Sequence, residues 1–484
     1  MKIFFKIIIL SICISTIIGC SKEYEIPQDL VVSDFVWKGL NAYYLHQDLI
    51  SDLADTRFNS DAQLNNYLRS FPDYNTLFSS LLISSDVKST LIEDYNTITE
   101  PIVRTAFTNG LEFGIITSPT NSDNVLGYVT HILPNSNAST KNIARGEYFS
   151  AVDGVQLTKT NYQDLLLNGL DNFTLQMANF DGTISTPNAK TVSLEKQTYT
   201  YPATFLEKVI NVNTDNVGYL MYHNDFSNNY INDLNNVFLN FKNQSVNKLI
   251  LDFRYNIGTG GFAKNIAKIA AMISEQNADE VLIKEQWNIK AQSWFLANQP
   301  DSLLTKFRKT LSSNININSL NSTDLYIILN GTNFEGSSAT ELLINSLKPH
   351  INVHIIGNET AGNNTGAITL YNSEDYDFPL KNETHTVALQ PIVLSFLNKN
   401  DQTYENGFSP DINLCETEDV LNLGVLGENS DPILNSVLNY ILTGNAVSNS
   451  NCNPNNFEYI FNSINRQRTN DTGIFITQNL PNTN

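Results

Sequence analysis

Between residues 217 and 356, short apolar runs alternate with amphipathic helical stretches, and this alternation admits few folds. Residues 217–222 and 248–253 have the β-branched and aromatic character of buried strands. Residues 228–241 place Leu234, Val237, Phe238 and Phe241 on one helical face. A second helix is expected at 263–273, a strand at 325–329, a helix at 338–347 and a strand at 353–356. Strands separated by helices must cross over, so the pattern predicts a largely parallel, helix-covered sheet. Residues 279–310 read as mostly helical, an inserted arm.

The chain before this core has two other textures. Residues 30–105 read as helical: Leu30, Val31, Phe35, Val36, Leu40, Tyr43 and Tyr44 recur at helical spacing. Shorter helices are expected at 61–68 and 74–82, parted by Pro72-Asp73. From about 106, short strands and turns take over. Residues 128–133 alternate, Asp153-Gly154 is a hairpin signal, and 161–167 form a short helix. This order resembles a PDZ domain, which adds a peptide as an extra strand and holds its carboxylate in a Gly-rich loop. The resemblance places that loop on Gly110, Leu111, Glu112 and Phe113, although Glu112 puts like charge beside a carboxylate. The plainer reading is a hairpin whose glycines only make turns.

Bulk numbers set limits. The 484 residues suffice for about three domains. A net charge of −20 argues against nucleic acid, whose phosphates would be repelled. The first residues read as a targeting segment: Lys2 and Lys6 precede an apolar run at 7–18 that is too short to span a bilayer. It ends in Gly19-Cys20, which resembles a bacterial lipobox with Cys20 as the lipidated residue; an ordinary signal peptide is the alternative. The acidic stretch after Cys20 resembles a surface-export signal of some lipoproteins. A lipid-anchored protein of the cell envelope, at the outer membrane and facing either the periplasm or the exterior, is therefore expected. Cys415 and Cys452 then remain as candidates for one disulfide, worth ~4 kcal/mol in the chain-entropy model, or as two thiols. No Cys/His spacing suggests a metal, and no cofactor is expected.

The chemistry centres on Ser338. It follows the apolar run 325–329 and opens a helix within Gly336-Ser337-Ser338-Ala339-Thr340-Glu341. A strand–turn–helix junction of this kind is where several hydrolase folds expose a nucleophilic Ser. The bland reading is a capping box, with Ser338 and Glu341 satisfying the first helical N–H groups for about 1 kcal/mol. Three further motifs stand in order around it: Asp252-Phe253-Arg254-Tyr255-Asn256-Ile257-Gly258, Gly357-Asn358-Glu359-Thr360-Ala361-Gly362-Asn363, and Gly407-Phe408-Ser409-Pro410-Asp411. Together they resemble the C-terminal processing (tail-specific) serine peptidases.

That resemblance implies an α+β, α/β multidomain protein with a ClpP/crotonase-like core sheet. Its parts would be a signal peptide at 1–19, a linker at 20–29, a helical domain at 30–105, a PDZ-like domain at 106–200, a peptidase-like core at 201–442 and an Asn/Ser/Thr-rich, loosely ordered tail at 443–484. It also implies a Ser/Lys dyad with Ser338 as nucleophile and Gly258 in an oxyanion loop. The family's base is a Lys after a Gly, a position that here holds Asn363. An amide cannot take the Ser proton. The loop departs too: Thr259 follows Gly258, which leaves Gly260 and Gly261 as substitute N–H donors, and a position often polar in the family falls on Ala367. Asn363 reads alternatively as a left-handed loop residue. Arg254 and Asn256 read equally as loop-holding or site residues, and Gly407–Asp411 as a structural turn. His223, His354 and Lys264 are the candidates for a relocated base. The expected function is polypeptide binding with hydrolysis impaired; the alternative is an active serine endopeptidase with a relocated base.

Overall fold

The computed structural model describes residues 26–98, 104–224, 226–257, 261–329, 337–415, 418–446, 457–466 and 474–476. The proposed signal and Cys20 lie outside them, as do Gly258, Gly260 and Cys452. The protein is a mixed α+β multidomain molecule.

Helices α1 (Val31–Tyr43), α2 (Asp61–Leu68) and α3 (Tyr74–Ser80) open the described chain. Ser60 and Asp73 cap α2 and α3, each accepting an N–H three residues on. Phe35, Val36, Leu40, Tyr43 and Tyr44 of this region share one core with Trp287, Phe295, Leu389 and Ile392 far along the chain. The amide of Asn288 fixes the junction, donating to the carbonyls of Ala42 (2.8 Å) and Tyr44 (3.2 Å).

The central sheet runs in the order Leu206–Val212, Asp215–Met221, Lys248–Asp252, Asp324–Leu329, Asn352–Gly357, Ile412–Asn413. The first pair is antiparallel and the rest are parallel. Side chains alternate between two cores. Leu249, Leu251, Leu325 and Ile327 face α4 (Asn228–Asn243), α5 (Ala263–Ile273) and α7 (Ser338–Leu347). Ile250, Tyr326 and Ile328 face α8 (Pro432–Thr443), which contributes Leu434, Val437 and Leu438. Every residue of α7 is buried, so this helix lies between layers.

Residues 279–310 depart from the helical expectation. Val281–Trp287 is a strand paired antiparallel with Ile392–Asn398, and helix follows only as α6 (Ile289–Asn298). Val281, Leu282 and Ile283 suit a pleated surface, and the partner strand overrides the helical propensity around them. The 443–484 segment departs too. Tyr459–Asn462 pairs with Leu111–Ser118, and Ile474–Phe475 pairs in parallel with both Gly261–Phe262 and Thr365–Ala367. Polar composition suggested disorder, but Ile460, Phe461, Ile474 and Phe475 are strong strand formers offered three open strand edges.

The remaining module holds Leu111–Ser118, Asn121–Ile132, Tyr148–Val152, Asn172–Phe180 and Ser185–Glu195 in that sheet order. Asp153 (φ 49°) and Gly154 (φ 79°) make its expected tight hairpin. A buried ionic cluster locks this module to the core. Arg254 pairs with Asp252 (2.7 Å), Asp431 (2.6 Å) and Glu418 (3.1 Å). Arg145, from the module, pairs with the same Glu418 at 2.6 Å and donates to the Tyr255 hydroxyl at 2.5 Å. Tyr255 in turn donates to Glu418. Cys415 is disulfide-bonded.

Burial opposes ionisation of Glu418, but Arg145, Arg254 and the Tyr255 hydroxyl outweigh it and hold the carboxyl below its ordinary value of 4.5. A depressed carboxyl binds its proton more readily in the unfolded chain, so it contributes fully above pH 4.5 and loses that contribution as pH falls below it. Glu418→Gln should cost ~3–5 kcal/mol at pH 7, because two buried guanidinium groups lose a shared partner. Denaturant midpoints measured from pH 7 down to pH 3 should fall less steeply in the variant than in the natural protein.

Candidate active site

The parallel strands 215–221, 248–252, 324–329 and 352–357 all end on one side of the sheet. Residues just past such carboxyl ends are where open α/β sheets place their ligands. Here they include His223, Phe253–Ile257, Ser337-Ser338 and Gly357–Asn364. Three of the four motifs separated in sequence thus converge on one end of the sheet.

Ser338 is the first residue of α7 and is buried. It is not the cap. Ser337 holds that position in extended conformation, and its hydroxyl accepts the Thr340 N–H at 3.2 Å. The capping-box expectation is therefore shifted by one residue.

Glu341 also departs from that expectation. Its carboxylate is fully buried and reaches across to the loop after strand 352–357, where its two oxygens accept the N–H groups of Gly362 and Asn363, each at 2.7 Å. One side chain thus ties the start of α7 to the loop carrying position 363. Charge-assisted hydrogen bonds of this length are among the stronger ones in proteins. The left-handed residue of the loop is Gly362 (φ 84°), not Asn363. A Cβ at 362 would stand 2.3 Å from the Glu405 carbonyl oxygen, so side chains are excluded there twice over.

Neighbouring motif residues are structural. The Phe408 N–H donates to the Thr360 hydroxyl at 2.8 Å, and Asp411 accepts the Ile355 N–H at 2.7 Å, so 407–411 straps the 360–363 loop. Arg254 serves the ionic cluster. Asn256 donates to the carbonyls of Tyr222 (3.2 Å) and Asn224 (2.8 Å), tying the end of strand 248–252 to the segment after strand 215–221. Gly261 pairs with Ile474 of the tail, and Ala367 is buried beside Phe475.

The three candidates for a relocated base fare differently. His354 stacks on Tyr326 at 4.7 Å and meets the Tyr440 hydroxyl at 3.2 Å, on the α8 face of the sheet, away from α7. This excludes it as the partner of Ser338. Lys264 is exposed at the start of α5. His223 is buried, stacked on Phe205 (4.4 Å) and packed against His131 (5.1 Å), at the correct end of the sheet. Burial, then Arg145 and Arg254, push His131 well below the ordinary imidazole range. Among the described residues, no group of three or more His, Cys, Asp or Glu is placed to hold a metal.

The Gly110–Phe113 segment lies remote in sequence from these groups. Gly110 is left-handed (φ 82°) and Leu111 donates its N–H to Asn109 at 2.9 Å. The Phe113 N–H donates to the Ser463 hydroxyl at 2.9 Å, and that hydroxyl donates to buried Glu112. The Phe113 N–H and the Glu112 carboxylate are thus both met by one hydroxyl of the chain itself. The 111–113 strand start could be read from sequence; its partner 350 residues away could not.

Parallel strands joined by covering helices, with a buried Ser at the start of α7, define an α/β core. Residues 216–414 match the family model described as Peptidase family S41, and this segment is a peptidase family S41 domain. No curated protein matches the chain. In structure the chain is similar to an S41 protease from Bacteroides fragilis, with a TM-score of 0.61 and 19% identity over 87% of this chain and 98% of that one. The photosystem II D1 C-terminal processing protease aligns at a TM-score of 0.43 and 17% identity, over 86% of this chain and 98% of that one.

Glu341→Gln retains one acceptor but turns an amide N–H toward a backbone N–H. A loss of about 1–3 kcal/mol is expected. Hydrogen exchange should accelerate at the amides of Gly362 and Asn363 while the central strands stay protected.

Proposed function

We propose that this chain is a lipid-anchored cell-envelope protein that uses an S41 peptidase fold to bind polypeptide, with peptide-bond hydrolysis strongly reduced. The supporting observation is the pair of hydrogen bonds from Gly362 and Asn363 to Glu341. They hold position 363 against the helix that begins with Ser338, and that position carries an amide where a dyad needs a base. Loss of general-base assistance costs roughly 100- to 10,000-fold, and more where nucleophile and base act as a unit. The PDZ-like module at 106–200 would supply a second contact to polypeptide, and the anchor would be lipid on Cys20 at the outer membrane.

The alternative is an active serine endopeptidase, favoured by one observation: the cap of α7 is Ser337, which accepts the Thr340 N–H, while Ser338 is the buried first residue of that helix. Buried His223 is the relocated base this reading would use.

A fluorophosphonate probe separates the two. Weak labelling is expected in the natural protein, rising at least ~100-fold in Asn363→Lys and vanishing in Ser338→Ala. Strong labelling of the natural protein that Ser338→Ala abolishes would establish the endopeptidase instead. Lipid attachment is checked separately: cells fed an alkynyl fatty acid should label the natural protein and not Cys20→Ser.

A further inference from the structure

A groove of about 670 Å³ lies between α5 and residues 299–308. It reaches from Lys264, in the first turn of α5, to Ala278 past the end of that helix. A helix of 11 residues is about 16 Å long, which leaves room for about five extended residues. The walls carry Lys264, Lys306 and Arg308 against one carboxylate, that of Asp301, which is 90% exposed and 3.8 Å from the Lys306 ammonium. Lys268, one turn along α5 from Lys264, is half-buried and donates to the neutral Asn265 side chain at 3.0 Å. Burial, then Arg308 and then Lys264, push its ammonium below the ordinary value of 10.5, so the local field is positive. The chain as a whole carries a net charge of −20, and a groove of the opposite sign is a device for choosing a partner. The groove also follows strand Leu304–Lys306, which pairs with 281–284 on one side and is the last strand of its sheet. An outermost strand is a template for an extended chain. α5 follows strand 248–252, so its first turn lies at the end of the central sheet that holds Ser337-Ser338.

We propose that this groove binds an extended acidic segment of a polypeptide, whose side-chain carboxylates meet Lys264, Lys306 and Arg308. The inference rests on the polypeptide-binding reading above and gives it a substrate class. An acidic polypeptide uses both features of the groove, its charge and its outermost strand, whereas a lipid headgroup would use the charge alone. Exposed ion pairs are individually weak. Several on one short segment discriminate, because a basic segment is repelled at the same place and a neutral one gains nothing. Selection by exposed charge also weakens as salt is added. None of the three cations is needed as a base, so the inference holds whether or not Ser338 reacts.

The test uses the full chain and short fluorescein-labelled peptides that alternate Val and Thr with Glu, with Gln or with Lys, read by anisotropy. At ~50 mM salt the Glu peptide should bind at least ~10-fold more tightly than the Gln peptide, and the difference should shrink to ~2-fold or less at ~500 mM. Joint substitution Lys306→Glu and Arg308→Glu should reverse the preference, so that the Lys peptide binds best, while affinity for the Gln peptide stays within ~2-fold. Should the double variant lose its cooperative melt, Lys306→Ala serves, with the preference for Glu over Gln cut at least ~2-fold. Equal binding of the Glu and Gln peptides, or a preference that neither variant alters, would overturn this inference and leave polypeptide binding standing. Binding of none of the three peptides would overturn both. Vesicles of phosphatidylglycerol held by the natural protein and released by the double variant, with no preference among peptides, would assign the groove to a membrane surface instead.

Discussion

The guanidinium of Arg254 is the point on which the architecture depends. It is fully buried, and three carboxylates converge on it from three parts of the chain. Asp252 closes a central strand. Asp431 caps α8, accepting the Ile433 and Leu434 N–H groups. Glu418 carries the connection onward to Arg145 in the 106–200 module. Stripping water from these groups is expensive, and burial alone would favour their neutral forms. The geometry offsets that cost because each charge meets at least one opposite partner at hydrogen-bond distance. Such a cluster adds modest net stability but admits a single arrangement of strand end, helix cap and module.

The same logic recurs at the site on a smaller scale. Glu341 crosses from α7 to the 362–363 loop as Arg254 crosses from strand to helix. Both are buried charges spent on joining segments. Two hydrogen bonds to Glu341 thereby fix the 362–363 backbone relative to the start of α7.

Much of this was legible in the sequence for a physical reason. The strands at 217–222, 248–253, 325–329 and 353–356 and the helices between them announce themselves by burial period, which the structure reproduces within a residue or two. Ser338 and Asn363 were legible as positions, through ordered motifs. What failed was partnership. The Ser-x-x-Glu spacing at 338–341 is a sound capping signal, but Ser337 was the better cap and Glu341 had a stronger claim from two N–H groups 21 and 22 residues away. Val281–Trp287 looked helical because its strand partner at 392–398 lies more than a hundred residues on. The tail looked loose because its partners are the whole chain away.

That last arrangement bears on biosynthesis. Residues 457–476 leave the ribosome after every strand they cover. Until they arrive, the edges at 111–118, 261–262 and 365–367 are uncapped templates, able to pair with any extended chain nearby. The closing strands thus also act as late seals, so a chain cut short before residue 457 would retain nearly all of its core yet display three adhesive borders.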